Sequence, residues 1–213
     1  MIATDGVGIA GDSFDSKLVR NLVAPALGLG SSYKSQFGKL LPVPNWLYSH
    51  LERWHYLSFL KTRKNLELLR QLQFEAVEPE KISVLIDLVE HDLGYRLYRS
   101  VELTKCALSD QEQSDFRFAE AAVTIAKPIA RREFEQWIRP DVSAISGCID
   151  RLLAGCNIAP HDIDAIFMTG GSSFVSAVRA LFSEKFGSQI PIRAGQEFTS
   201  VAEGLALHAL ELS

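Results

Sequence analysis

Cysteine is scarce in this sequence, and its few copies are poorly placed for cross-linking. Cys106, Cys148 and Cys156 are the three cysteines among the 213 residues, and none belongs to a C-x-x-C pair. An odd number without that spacing argues against a disulfide scaffold and against a structural zinc site. The five histidines are scattered rather than paired at helical spacing. We expect no metal site and reduced thiols, which fits a cytoplasmic protein.

Long apolar runs and a surplus of basic residues are missing as well. No stretch approaches the roughly 18 apolar residues of a membrane span, and the N-terminus lacks the charged and apolar regions of a signal peptide. The net charge is −4 without a basic stripe, so nothing indicates binding to nucleic acid or to a membrane. With 47% hydrophobic and 23% charged residues, the chain has the composition of an ordinary globular protein.

The stretch DGVGIAGD, residues 5–12, contains Gly6, Gly8 and Gly11 in the spacing G-x-G-x-x-G. This spacing is typical of dinucleotide-binding turns, which also need a preceding strand, a following helix and an acidic residue about 20 positions on. Only five residues precede Gly6, and residues 30–38 contain neither Asp nor Glu. A glycine-rich turn that opens a helix is the better interpretation.

Apolar residues recur at helical spacing along most of the chain. The aromatic run WLYSHLERWHYLSF follows Asn45, a plausible helix cap, and its spacing favours core packing over a ligand cage. Pro140 is expected to interrupt a helix, with a new one after it. The pattern predicts helices over 16–27, after Asn45, from Pro79, over 95–108, from 130 to Ile138, from Val142 to Leu152, from Val175 to Phe182 and over 200–210.

Strand patterns are few. Alternation at Phe116 and Phe118, and again at Val123 and Ile125, predicts a β-hairpin that Pro128 ends. The apolar run DAIFMT, residues 164–169, predicts a buried strand, with which we expect the first residues of the chain to pair. The chain is therefore predicted to form an α/β unit from its two ends and a mostly helical insertion between them.

The predicted strand, the turn Gly170-Gly171-Ser172-Ser173 and a predicted helix follow one another directly. Glycines let a ligand approach the backbone where a Cβ would collide. The following helix directs N–H groups and a positive dipole end at phosphate or ribose oxygens. Ligands of open α/β sheets bind at the carboxyl ends of strands, where this turn lies. A tight structural turn with a serine cap explains the same residues equally well.

The predicted helix before the hairpin carries a polar stripe. Glu102, Lys105 and Ser109 are at positions i, i+3 and i+7, apart from the apolar face that includes Val101 and Leu108. A carboxylate, an ammonium and a hydroxyl on one stripe can bind a polar ligand such as a ribose and a base edge. From the residues alone, a solvated face with an ordinary Glu–Lys pair is the simpler interpretation.

Taken in order, four segments resemble the nucleotide-binding domain of the DnaK-type heat-shock ATPases. GIAGDSFDSKLVRNLV resembles that family's G-G-x-x-F-D-x-x-L-V stretch, and YRLYRSVELTKCALS its E-x-x-K-x-x-L-S helix. The segment from IARREFE to FMTGGSS resembles the stretch from T-R-x-x-F-E to V-G-G-S, and SVAEGLALHA resembles the closing helix. The resemblance leaves out about residues 30–80, where the insertion FGKLLPVPNWLYSHLERWHYLSFL is more like the YegD-type branch, DnaK relatives that lack a peptide-binding domain.

The resemblance implies an α/β fold of the actin-like, ribonuclease-H-like ATPase type, of which this chain would be the second lobe (lobe II). Residues 1–15 and 129–213 would form its base subdomain, and residues 16–128 its helical upper subdomain. The family's phosphate loops and catalytic lysine have no counterpart here, so we expect a piece of a longer ATPase without catalytic residues of its own. The implied ligand is ATP or ADP, with magnesium in the full-length protein. The implied partners are the N-terminal lobe and client proteins.

Carried over residue by residue, the resemblance assigns nucleotide contacts to both polar motifs. Glu102 and Lys105 match positions that bond the ribose, and Ser109 matches the position that bonds the adenine edge. The turn against which the ribose and the α-phosphate lie is matched by Gly170, Gly171 and Ser172.

Three positions depart from the family pattern. The family has arginines that sandwich the adenine where this chain has Cys106 and Phe174. Phe174 can stack on a base through its π face, but the cation–π contribution of an arginine is lost. The family's acidic residue before the last helix is also missing, with Phe198 near its place. These departures leave the base specificity of the site open.

Three functions are compatible with the sequence. The first is a binding lobe that holds the adenosine half of ATP in a chaperone-like ATPase and is inactive without phosphate loops. The second is a sugar- or acetate-kinase-type enzyme of the same superfamily, although no sugar-binding stretch is recognisable. The third is an interaction module that has lost the use of nucleotide, which the residues at positions 106 and 174 keep open.

Overall fold

A computed structural model describes residues 2–187, 189–193 and 200–211 of the chain. The chain divides into two compact units, one continuous (Asp12–Trp137) and one made of its two ends, up to Gly11 and from Ile138. The sequence places the boundaries after residues 15 and 128 instead. The interpretation of these units as upper and base subdomains stays a prediction.

The first helical segment begins earlier than its periodicity predicts. Helix α1 spans Gly11–Leu18, and a π-helical turn (Val19–Val23) and a 3-10 turn (Ala24–Leu27) prolong it. Gly28 ends the segment at φ 99°, a left-handed conformation that favours glycine. A Cβ there would lie 2.6 Å from Ile82 Cδ1, so the predicted stop is also a close approach between two elements.

The region after this segment differs from the predicted long helix. Strands β1 (Ser32–Lys34) and β2 (Leu40–Pro42) form an antiparallel hairpin. Helix α2 covers only Trp46–Leu51, and a 3-10 segment (Trp54–Lys61) follows it. The Asn45 side chain makes no capping hydrogen bond. The aromatic run therefore forms two short helical pieces rather than one long helix.

The aromatic run is only partly core. Tyr48 is fully buried, and its hydroxyl donates to the carbonyl of Leu27 at 3.0 Å. Trp46 and Phe59 are 40% and 56% exposed. The expectation of core packing therefore holds for one face of the run and not for the other.

Three helices follow. Helix α3 (Arg63–Glu75), which the sequence reading missed, is capped by the Thr62 side chain. Helix α4 (Pro79–Glu90) begins at the predicted proline, whose fixed φ suits the first turn of a helix. Helix α5 (Gly94–Asp110) covers the predicted polar stripe.

A long β-hairpin follows α5. Strands β3 (Gln113–Glu120) and β4 (Val123–Ala130) pair antiparallel along their full length, as the alternation predicts. The tight turn between them places Ala121 at φ 51°. The prediction that Pro128 ends the hairpin is wrong, because Pro128 lies inside β4 opposite Asp115. Both strands of a two-stranded sheet are edges, where proline is tolerated.

The core of the continuous unit is apolar. Helix α4 packs against α3 and against the 3-10 turn Ala24–Leu27, and α5 packs against β3. Asp15 and Thr104 are among the few polar residues that this core buries. The fully or almost fully buried apolar side chains include Phe14, Leu18, Leu27, Leu69, Ile82, Leu85, Val101, Leu108 and Phe116.

Helix α6 spans Arg131–Cys156 without interruption, and the boundary between the two units falls within it. The prediction that Pro140 ends a helix is therefore wrong. Proline removes one i→i−4 hydrogen bond, and the 26-residue helix continues on the strength of the turns on either side. A 3-10 turn (Pro160–Asp162) follows.

The predicted buried strand is shorter than expected and has a different partner. Strand β5 covers only Ile166–Phe167 and pairs in parallel with β6 (Ile192–Arg193). The first described residues form no strand, so the prediction that they pair here is wrong. Gly6 and Gly8 offer that segment no side chains to pack on a sheet.

Two predicted helices complete the chain. Helix α7 spans Ser176–Phe186, directly after a 3-10 turn (Gly171–Phe174), and α8 spans Ser200–Glu211. Phe198, the position of the missing acidic residue, lies outside the described residues. In the described part of the chain, no helix is both long and apolar enough to cross a membrane.

Candidate functional site

Helix α5 presents the predicted polar stripe away from its buried face. Val101 is fully buried, and the helical period turns the stripe to the other side. Glu102 and Cys106 are exposed, whereas Lys105 and Ser109 are partly buried. Glu102, Lys105 and Ser109 therefore share one side of the helix, but they differ in how far solvent reaches their side chains.

Lys105 is held by a partner that the helical spacing did not predict. Its Nζ lies 2.9 Å from both carboxylate oxygens of Asp15 on α1. Both side chains are about nine-tenths buried, with 11% and 10% of their surfaces exposed. An ammonium group has three N–H donors, so Lys105 keeps hydrogens for a second acceptor while Asp15 fixes its position. Asp15 thus belongs beside the candidate site, and sequence reasoning did not connect it with Lys105.

The electrostatics of Asp15 depend on this pairing. Burial raises the pKa of the Asp15 carboxyl above its ordinary 3.8, and the negative charges of Asp12 and Glu102 add to that effect. The Lys105 ammonium acts in the opposite direction and is outweighed. Oδ1 of Asp15 is buried without a donor in hydrogen-bond geometry among the described residues. A carboxylate desolvated in this way is costly unless its cation stays in place.

Glu102 carries an accessible carboxylate. It accepts a hydrogen bond from Arg99 Nη1 at 2.9 Å, and half of its side chain is exposed. An ion pair this exposed is weak, so the carboxylate can exchange Arg99 for the hydroxyls of a ligand. Ser109 donates to the carbonyl of Lys105 at 3.3 Å, within its own helix. Cys106 is a free, exposed thiol between these residues.

Arg131 fastens the end of α5, where Ser109 lies. Its Nε donates to the carbonyls of Leu108 at 2.7 Å and Gln111 at 3.1 Å, and its Nη2 to that of Ser109 at 3.4 Å. Its backbone N–H donates to the carbonyl of Glu112. A cation is favourable at the C-terminal end of a helix dipole. Arg131 is a second residue that the helical pattern of α5 did not point to.

In the other unit, the glycine turn has the predicted order of strand, turn and helix. Gly170 adopts φ 81° and ψ 160°, and a Cβ built on it would meet no atom within 4 Å. The buried Ser173 donates to the Gly170 carbonyl through its hydroxyl at 2.6 Å and its N–H at 3.1 Å. The turn is therefore internally fixed, and the space beside the Gly170 Cα is open. Gly171 is exposed and Ser172 half-buried.

Phe174 has a cation next to its ring. Cζ of Arg179, on α7, lies 5.3 Å from the ring centroid, which is within the range of a cation–π attraction. Arg179 Nε also donates to the carbonyl of Ser173 at 2.8 Å. An arginine side chain thus reaches the turn from position 179, five residues after Phe174. The family motif has its arginine at position 174, so the motif did not point to Arg179.

The structure therefore groups the predicted residues into two sets. Glu102, Lys105, Cys106 and Ser109 lie with Asp15 in the continuous unit. The residues of the turn, 170–174, lie with Arg179 in the unit made of the two chain ends. Within the described residues, no group of three or more His, Cys, Asp or Glu side chains is arranged to hold a metal ion.

Comparison with known families gives a match over most of the chain. The model of the family described as Hsp70 protein matches residues 75–213. The match includes all of α4 to α8, and with them both the stripe on α5 and the glycine turn. Asp15 lies outside the matched range.

Curated proteins with similar sequences carry related names. The chaperone protein DnaK of Thermus thermophilus is 25% identical over 167 residues, which cover 78% of this chain and 24% of the relative. DnaK of Thermotoga maritima is 25% identical over 214 residues, which cover 100% of this chain and 28% of the relative. A heat shock protein homolog of Lachancea kluyveri is 26% identical over 129 residues, 59% of this chain and 18% of the relative. The chain spans 18% to 28% of the length of these relatives.

Proposed function

Because this chain belongs to the Hsp70 protein family, we propose that it holds the adenosine part of ATP or ADP in a DnaK-like chaperone ATPase. It would do so as the C-terminal lobe (lobe II) of a nucleotide-binding domain with the actin-like ATPase fold. The observation that carries this proposal is that the matched residues 75–213 include every candidate contact, on α5 and in the glycine turn alike. The closer assignment to the YegD-type branch stays a prediction.

On α5, the ribose hydroxyls are bound by Glu102 and Lys105, and the adenine edge by Ser109. The half-exposed Glu102 carboxylate supports this role, since it is an acceptor that solvent already reaches. Lys105 supplies a donor whose position Asp15 fixes. Because Asp15 holds the ammonium in place, Lys105 needs little reordering when the ribose arrives.

At the glycine turn, the backbone of Gly170, Gly171 and Ser172 receives the ribose and the α-phosphate, and Phe174 lies against the base. The residues present fit such a group, because the open space beside Gly170 lets oxygen atoms approach the backbone. On α5, Cys106 stands where the family has its other adenine-stacking arginine. Bound magnesium supplies charge neutralisation on the phosphates, and no residue of this chain is assigned to it.

Calorimetric titration of the full-length protein with ADP and ATP tests the proposal. Glu102→Ala should weaken ADP binding about tenfold, because hydrogen bonds to a charged group are lost. Arg99→Ala is the matched control: it removes the salt-bridge partner and leaves the carboxylate, so affinity should stay within about twofold. Unchanged binding in Glu102→Ala would refute the assignment on α5. Absence of nucleotide binding in the unmodified protein would refute the proposal as a whole.

A second candidate function is an interaction module that no longer uses nucleotide. Two observations favour it. Lys105 is already paired with the buried Asp15 carboxylate, and Cys106 and Phe174 stand where the family has arginines that contact the base. The same titration separates the two functions, because an interaction module gives no heat with either nucleotide. The sugar- or acetate-kinase alternative has no supporting observation among the described residues.

A further inference from the structure

The side chain of Arg179 is fixed against the glycine turn. Its Nε donates to the carbonyl of Ser173 at 2.8 Å, and its Cζ lies 5.3 Å from the centroid of the Phe174 ring. Ser173 is itself only 5% exposed and is bonded back to Gly170. The guanidinium is thus positioned by a carbonyl and by an aromatic ring, both of which belong to the hydrogen-bonded turn.

A guanidinium held in this way suits a flat ring better than a phosphate. Bidentate binding of a phosphate uses parallel N–H groups of the planar fork. The Nε–H is committed to Ser173, so the side-on pair that includes it is closed to a phosphate and the end-on pair is left. Stacking on aromatic and heteroaromatic rings uses the face of the same group. Arg179 is exposed and Phe174 half-buried, so both side chains keep accessible surface for a ligand.

We propose that Arg179 and Phe174 together form the stacking surface for the nucleobase, and that Arg179 gives the site a preference for purines. This inference rests on the proposed function. A phenyl ring alone stacks on any base, because every base has a π face. A planar cation beside it adds an attraction that increases with the π surface of the ligand. The larger purine ring system therefore benefits more than a pyrimidine.

The test is a calorimetric comparison of ADP, UDP and inorganic pyrophosphate on the full-length protein. Arg179→Ala should weaken ADP binding about five- to thirtyfold and UDP binding less, and leave pyrophosphate binding unchanged. Arg179→Lys keeps the charge but not the plane, so it should lose most of the same affinity. Lys185→Ala is the matched control, since it removes a cation from the same helix that pairs with Asp150 instead. Its ADP affinity should stay within about twofold.

Each outcome decides the inference. Equal losses for ADP and pyrophosphate would mean that Arg179 only supports the turn, and this overturns it. Unchanged ADP binding in both Arg179 variants would overturn it while the proposed function stands. Failure of the unmodified protein to bind ADP or ATP would overturn both. Near-ultraviolet circular dichroism checks the fold of each variant. If Arg179→Ala does not fold, Arg179→Lys and Phe174→Leu provide the same comparison of ligands.

Discussion

The Asp15–Lys105 pair offers a sharp test of the structure. Lys105→Met removes the ammonium but keeps most of the length of the side chain. The Asp15 carboxylate then stays buried, with about a tenth of its surface exposed and its cation gone. Breaking a buried pair by removing one partner costs about 3–5 kcal/mol. We therefore expect Lys105→Met to lower the free energy of unfolding by about that amount.

Replacing both members should behave differently. The double variant Asp15→Leu/Lys105→Met leaves no buried charge, and well-packed apolar replacements of buried ion pairs are often neutral or stabilising. Most of the stability lost in Lys105→Met should therefore return. The matched control is Arg99→Ala, which breaks a pair whose side chains are 61% and 50% exposed. Its effect should stay below about 1 kcal/mol.

Tryptophan fluorescence during urea denaturation measures these free energies of unfolding in the unit that contains the pair. All the tryptophans, Trp46, Trp54 and Trp137, belong to the continuous unit that contains the pair. Their signal therefore reports on this unit rather than on the other one. A loss in Lys105→Met no larger than in Arg99→Ala would refute the buried pairing. So would a double variant that is as unstable as the single one.

Two further predictions concern pH and catalysis. Because burial raises the pKa of Asp15 above 3.8, the folded state binds its proton more tightly than the unfolded state. The free energy of unfolding should then decrease as pH rises from 3.8 through the raised pKa. Asp15→Asn should remove this decrease, whereas Asp110→Asn, at an exposed position, should keep it. Denaturation at several pH values measures the free energy of unfolding of both variants. The same pH dependence in both would contradict the attribution to Asp15. A polypeptide of residues 1–213 alone should release no phosphate from ATP above background in a steady-state assay, since the family's phosphate-loop motifs are not among these residues, and clear turnover would refute that expectation.

Local signals predicted the elements that carry the candidate site. Pro79 starts α4, Gly28 stops the first helical segment, and the apolar spacing defines α5. Each of these depends on interactions within one or two helical turns, which the order of residues reveals directly. Helix α3 follows the same rules, with Leu69 and Leu72 buried three positions apart, and was within reach of the same reasoning.

Contacts between distant residues were beyond such reasoning. Asp15 and Lys105 are 90 positions apart, so no local period connects them. Pro140 shows the opposite error, since a residue that usually ends helices lies inside a 26-residue one. Local propensity is a weak prior that the surrounding structure overrides. The predicted pairing of the first residues with β5 was wrong for the same reason, since the partner of β5 is β6, about 25 positions further along the chain.

Arg131 gives the β3–β4 hairpin a property of its own. The hairpin starts just after α5 and ends just before Arg131, the first residue of α6. The guanidinium of Arg131 donates to the carbonyls of Leu108 and Gln111, and its backbone N–H donates to that of Glu112. The two ends of the hairpin are thereby fastened together whatever the length of the strands between them. Extra residues at its turn would extend an arm into solvent while both helices stay where they are. The fold thus contains a place where a reporter tag or a new contact arm can be inserted without rebuilding the domain.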